Sequence, residues 1–221
     1  MKLSIIIPVF NEVETIHEIL SKVRLIPIEH EIILIDDASF DGSEQILSGL
    51  ANAPNTIVIR HEVNKGKGFA IASGLKVATG DVAVIQDADL EYDPQDFVKL
   101  LRPIQHGEAQ VTYGVRDLQS QKLLMRIGNL FLTWLTSKLY GVQLTDMETC
   151  YKMMTRLVFE PLSLQSTGFD VEAEITAKIL GAGHTIRELP ISYTARYEKK
   201  KLSPFDGIPT LRALLKYRFL E

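Results

Sequence analysis

Five short apolar runs constrain this chain more than anything else in it. They occupy residues 3–9, 31–35, 56–60, 82–86 and 110–114 and are rich in β-branched residues. Runs of this length suit buried strands better than helices. Helical patterns lie between them. Ile16, Ile19, Leu20 and Val23 share one helical face, and that helix should stop before Pro27. Further helices are expected over about 42–50 and 69–77, and another opening at Asp93-Pro94 with proline in its first position. Strands alternating with helices over short connections give βαβ units. The expected fold class is α/β, one Rossmann-like domain with a mostly parallel central sheet flanked by helices.

Each of the first four runs ends in a polar cluster. Asn11-Glu12 follows the first, Asp36-Asp37 the second, Asn64 to Gly68 the third, and Asp87 to Glu91 the fourth. Parallel sheets bind ligands at the carboxyl ends of their strands, so the four clusters should meet at one site. Each cluster also has a plain local reading. Asn11 resembles a helix N-cap with Glu14 three residues on. Asp41 and Asp93 read as caps, and "NKGKG" as a turn. As a ligand loop, the glycines beside Lys65 and Lys67 could offer backbone N–H groups to phosphate.

The stretch "VIQDADLEYDP" gathers four carboxylates where a buried strand meets solvent. Like charges repel, so the cluster needs water or a cation. Asp87 and Asp89 can face one ion across an extended turn, and carboxylate oxygens suit Mg²⁺ or Mn²⁺.

Past residue 114 the pattern changes. A long helix is expected over 123–140, with Trp134 and Tyr140 as packing residues. "GVQLTDMETCYKMM" then runs into a strand, followed by an amphipathic helix over 171–180 and a strand over 185–192. The net charge of −4 argues against a nucleic-acid partner. Cys150 is the only cysteine, which excludes an internal disulfide and reads as a small buried residue. The five histidines lack metal-ligand spacing. No apolar stretch is long enough to span a bilayer, and the N-terminal run is too short for a signal peptide. The expected location is the cytoplasm, peripheral on the cytosolic face of the membrane.

Taken in order, "SIIIPVFNE", "ILIDDASFDGS", "NKGKGFAIASGLKVATGDVAVIQDADLEYDP", "TDMETCYKMM" and "GFDVEAEI" resemble the family 2 glycosyltransferases of GT-A fold. More narrowly, they resemble the branch of dolichyl-phosphate mannose and polyprenyl-phosphate hexose synthases. The resemblance implies an inverting transferase with a nucleotide-sugar donor (GDP- or UDP-linked) and Mg²⁺ or Mn²⁺. It places Pro8, Val9, Asn11 and Glu12 along the nucleotide, Asp36 and Asp37 at the base or ribose, and Lys65, Gly66 and Gly68 in the loop beside them. Asp87, Ala88 and Asp89 match the DXD motif, with Glu91 as a further metal contact. Asp146 matches a candidate catalytic base. Arg126 and Arg196 match basic residues that hold the acceptor phosphate or the diphosphate.

Two acceptors remain open. A hydroxyl would need a base such as Asp146, whereas a phosphate is already anionic and needs cations. A non-catalytic nucleotide-sugar-binding module is a further alternative. A receiver-type signalling domain is excluded, because the paired acids follow the second strand and the chain is too long. The expected organisation is one domain over 1–198, with a donor half (1–114) and an acceptor half (115–198), then a basic amphipathic segment over 199–221. In that segment Lys199 to Lys201 form a cationic run, and Leu211, Leu215 and Phe219 trace one helical face. It suits a membrane surface, a separate membrane-protein partner, or docking back on the domain.

Overall fold

The computed structural model describes residues 1–196 and 207–220 of the 221. The cationic run at Lys199 to Lys201 and the expected boundary at 198/199 lie outside the described residues. The first apolar run becomes β1 (Leu3–Val9), buried throughout except at Pro8. It is flanked by β2 (His30–Asp36) and β4 (Val82–Ile85), both parallel to it. β3 (Thr56–Arg60) extends the sheet beyond β2. On the other side β6 (Lys152–Thr155) pairs antiparallel with both β4 and β5 (Val111–Val115), and β7 (Ile186–Pro190) closes that edge parallel to β5. The order is β3-β2-β1-β4-β6-β5-β7, so the sheet is mostly parallel with β6 as the exception.

From β1 the chain winds outward through β2 to β3, then crosses back to place β4 on the other flank. That reversal opens a crevice at the carboxyl ends of β1 and β4, where such sheets bind ligands. Pairing of β1 with β4 stops at Ile6–Ile85, so Pro8 has no ladder partner on that side for its missing N–H.

The helices are α1 (Ile16–Arg24), α2 (Ser43–Ser48), α3 (Lys67–Val77), α4 (Asp96–Gln105), α5 (Leu123–Tyr140), α6 (Arg156–Phe159), α7 (Val171–Gly181) and α8 (Gly207–Phe219). The main core is the sheet with α1, α3 and α4 on its faces. A second cluster joins Leu132 of α5, Ala173 and Ala177 of α7, and Ala213, Leu214 and Tyr217 of α8.

Several local expectations are corrected. Asn11 is not a helix cap. Its φ of 53° turns the chain, and its Oδ1 accepts from Phe40 N at 3.0 Å, tying the end of β1 to the segment after β2. The helix itself starts at Ile16 behind Thr15. Asp93 accepts from Gln95 N at 3.0 Å, but the helix begins only at Asp96. α7 is not amphipathic, since Val171 to Ala177 are all buried between the sheet and α8. Trp134 does not pack inside; it is 55% exposed on the outer side of α5. α8 docks back on the domain through Thr210, Ala213, Leu214 and Tyr217, which leaves Leu215 and Phe219 of the expected apolar face exposed.

Candidate active site

The crevice is a cleft of about 360 Å³. Its lining brings together residues more than a hundred positions apart: Pro8 and Val9 at the end of β1 and Glu12 after it, Asp37 after β2, Gly66 and Lys67 before and in α3, Asp87, Ala88, Asp89 and Glu91 after β4, and Arg196. Asn11, Asp36, Lys65, Gly68, Arg126 and Asp146 do not line it.

Asp37 works first on the protein itself. Its Oδ1 lies 2.7 Å from His61 Nδ1 and accepts from Lys65 N at 2.9 Å, while Oδ2 accepts from Gly66 N at 2.7 Å. The carboxylate thus bolts the "NKGKG" loop to the end of β2. Asp36 turns away and accepts from Ser39 N at 2.8 Å. The expectation that these glycines offer free N–H groups to phosphate is corrected. Gly66 N is spent on Asp37, and Gly68 N donates to Thr167 O at 2.9 Å. The glycines serve close approach instead. A Cβ on Gly66 would stand 2.2 Å from Thr167 O, and one on Gly68 2.2 Å from Ser166 O.

At the end of β4 the acids separate into different tasks. Asp87 receives Lys67 Nζ at 2.8 Å, and the same ammonium reaches Glu172 of α7 at 2.8 Å. Burial opposes the charge on Lys67, but Asp87 and Glu172 outweigh it and raise its pKa well above the usual value. Among the described residues Asp89 makes no such ion pair. Burial, with Asp87 and Glu91 beside it, pushes its pKa up to about 7, and Arg196 opposes the shift only weakly. Glu91 anchors the segment that follows β7: its Oε2 accepts from Tyr193 OH at 2.9 Å and its Oε1 from Arg196 N at 2.7 Å. Arg196 in turn forks onto Glu12 at 3.0 and 3.1 Å.

Across the cleft, Arg116 follows β5 with its side chain 8% exposed. Its Nε and Nη2 donate to Asp146 at 2.7 and 2.8 Å. Asp146 is therefore fully engaged behind the cleft, held there by its own N–H to Glu188 at 3.0 Å. Glu148, two residues on, faces the cleft instead. Burial and then Glu172 push its pKa up to about 7, and its Oε1 has no hydrogen-bond partner among the described residues. Glu172 Oε2 is likewise unpartnered. Arg126 is exposed on the first turn of α5, near Gln121, Met125 and Asn129, which line the cleft. Cys150 is buried with its Sγ 3.6 Å from Ile85 O, and burial raises its thiol pKa well above the ordinary value, so it is no nucleophile.

Arg116, Glu148 and Glu172 carry much of the site's charge, yet no expectation gave them a role. Arg116 was findable, because it ends the fifth strand as the other clusters end theirs. Glu172 and the Arg116–Asp146 pair depend on contacts between distant segments and leave no local signal.

Seven carboxylates and three cations line the cleft among the described residues. Among those residues no three His, Cys, Asp or Glu side chains already converge on one ion position. Hard oxygen donors with a carboxylate excess fit Mg²⁺ or Mn²⁺, which commonly takes one or two protein carboxylates and completes its shell with phosphate and water.

Known proteins resemble this chain in sequence and in fold. The family model described as glycosyl transferase family 2 matches residues 4–159. The chain is 28% identical over 211 residues to a dolichol-phosphate mannosyltransferase of Pyrococcus furiosus, covering 89% of this chain but only 57% of that protein. It is 29% identical over 210 residues to a UDP-N-acetylglucosamine–dolichyl-phosphate N-acetylglucosaminyltransferase of Methanococcus voltae, covering 85% and 83%. Glucosyl-3-phosphoglycerate synthase of Mycobacterium tuberculosis, solved with Mn²⁺, UDP-glucose and phosphoglyceric acid, superposes with a TM-score of 0.78 at 20% identity, covering 100% of this chain and 80% of that one. This last likeness is one of GT-A fold.

Proposed function

The chain belongs to glycosyl transferase family 2, and on that premise we propose that it moves a hexose, mannose or glucose, from a nucleoside diphosphate to a polyprenyl or dolichyl phosphate, with inversion. The charge of the cleft carries this reading. A diphosphate cannot settle among seven carboxylates and three cations unless a further cation comes with it. Asp87 and Asp89 are the residues proposed to hold Mg²⁺ or Mn²⁺, with Glu91 in reserve behind them. Bound there, the ion would act as a Lewis acid on the charge that develops as the diphosphate leaves.

The protein's own groups do the rest. Pro8 and Val9 form the floor for the nucleotide. Asp37 fixes the loop beside it and keeps one acceptor position, on Oδ2, for a base or ribose hydroxyl. Arg196, aimed by Glu12, is placed for the diphosphate. Arg116, aimed by Asp146, is placed for the acceptor phosphate, with exposed Arg126 at the entrance. The acceptor oxygen attacks the anomeric carbon opposite the diphosphate, so one C–O bond forms as the other breaks and no covalent enzyme intermediate arises. A phosphate monoester, with a second pKa near ~6, needs no base. That fits the withdrawal of Asp146 into a pair with Arg116. The donor half (1–114) and the acceptor half (115–198) are proposed as functional halves that interleave in the sheet, since β6 enters between β4 and β5 and β7 follows β5. The relatives named for dolichyl phosphate support the same acceptor, and a lipid acceptor would put the site of action at the cytosolic membrane face.

One observation favours a hydroxyl acceptor instead. Glu148 faces the cleft with a pKa raised to about 7, where a general base works well. A panel of labelled nucleotide sugars with Mn²⁺, with and without short-chain polyprenyl phosphate, decides between them. Label in the organic phase, retained by Glu148→Gln, is expected. Label only in water-soluble product, abolished by Glu148→Gln, would establish the hydroxyl reading, and donor binding without transfer a non-catalytic module.

A further inference from the structure

Lys67 stands between two carboxylates that come from distant parts of the chain. Its Nζ lies 2.8 Å from Asp87 Oδ1 and 3.1 Å from Oδ2, and 2.8 Å from Glu172 Oε1. An ammonium has three protons, so these three oxygens engage all of them. Asp87 is one of the two acids proposed to hold the metal ion. Glu172, buried in α7, has an oxygen to spare: its Oε2 makes no hydrogen bond among the described residues.

The backbone on either side of Lys67 is clamped. Gly66 N donates to Asp37 Oδ2 at 2.7 Å, and Gly68 N to Thr167 O at 2.9 Å. With its Cα held, Lys67 moves only by turning its flexible four-carbon stem. Two seats for the ammonium lie close together. In the one observed it bridges Asp87 and Glu172. In the other it would rest on both oxygens of Glu172, release Asp87 and turn its third proton toward the cleft. That second seat satisfies Glu172 better, but it needs an anion in the cleft to accept the third proton.

An ammonium seated on Asp87 repels a divalent cation approaching the same carboxylate. A nucleoside diphosphate changes that balance, because it gives the ammonium another anion to face. We propose that Lys67 is a displaceable counter-ion, which holds Asp87 until a nucleoside diphosphate draws it over to Glu172 and so makes metal uptake conditional on the donor. The inference rests on the metal reading above and deepens it, naming the residue that couples the two ligands. The coupling is reciprocal, so each ligand tightens the other by the same factor.

Mn²⁺ uptake by the full chain is read from the paramagnetic resonance of the free ion, without nucleotide and with UDP or GDP, after subtracting the Mn²⁺ that nucleotide holds by itself. In the wild type the nucleotide that binds should tighten Mn²⁺ by about tenfold or more, the ordinary scale for coupled sites. Lys67→Met should tighten Mn²⁺ about tenfold without nucleotide and change it little with nucleotide, so the coupling collapses. Glu172→Gln removes the second seat and should act in the other half of the cycle, weakening Mn²⁺ mainly when nucleotide is bound. It carries the test by itself if Lys67→Met does not fold. A charge acting only through space would shift Mn²⁺ affinity by the same factor with and without nucleotide, and that result overturns the proposal. So does unaltered Mn²⁺ affinity in both variants. Asp89→Asn in the same titration tells the two failures apart. If it takes up Mn²⁺ as the wild type does, the metal reading has failed and this inference falls with it. If it loses Mn²⁺ while the coupling survives in Lys67→Met, only this inference has failed.

Discussion

Opposite ends of the sheet treat a withdrawn carboxylate in opposite ways. At the amino end, Glu31 receives Lys2 Nζ, Ser4 Oγ, Thr79 Oγ1 and Thr79 N, each at 2.6 Å. Burial alone would raise its pKa, but these donors outweigh burial and hold it at about 2. At the carboxyl end, Asp89 and Glu148 have acidic neighbours and too few donors, and burial lifts both to about 7. A charge-satisfied acid is a structural rivet. An acid left short of positive charge marks the place where a ligand must bring some.

The contrast breaks most visibly at Asp89. Asp89→Asn should lower transfer by about a hundredfold or more, the scale of losing an electrostatic contact made in the transition state. Its melting temperature should hold or rise, because a like-charge contact is removed. Unaltered turnover would show that the acid is idle.

Asp146→Asn tests a pair between the two extremes. It leaves buried Arg116 without its counter-charge, a loss of about 3 kcal/mol by denaturant titration. Activity should fall mainly through a higher KM for acceptor, since Arg116 is no longer aimed. A collapse of kcat at unchanged KM would instead assign Asp146 direct chemistry.

Glu31→Gln should cost on the order of 2 kcal/mol, given partial solvent screening at Lys2, with activity per folded molecule unchanged. The sign with pH follows from the lowered folded pKa. Glu31 contributes fully above the unfolded value of 4.5, and its contribution drains away as pH falls toward about 2. The wild type should therefore lose its stability advantage over Glu31→Gln across that window, and an advantage persisting at its acid end would contradict the assignment.

How much of this could be read from the chain depended on range. β1 through β5 announce themselves as apolar runs, and the polar residues that end them do meet, because a parallel sheet brings its carboxyl ends together. α5 was legible to the residue, since its pattern is long and closed by Gly141. Asn11 misled, because its side chain found Phe40 from another segment before any local helix N–H. α7 misled because two layers cover it, and periodicity sees only one. The loop around Lys67 carried the same difficulty: its glycines looked like N–H donors to phosphate, yet in the fold Lys67 serves two acids brought from the end of β4 and from α7.

The central claim is that Asp87 and Asp89 grip a divalent cation on which departure of the diphosphate depends. The direct measurement is transfer of labelled hexose to short-chain polyprenyl phosphate after exhaustive chelation, followed by stepwise return of Mn²⁺. The account predicts no transfer in the chelated wild type, full recovery with Mn²⁺, and no recovery in Asp89→Asn. Undiminished transfer by the metal-stripped protein would contradict it.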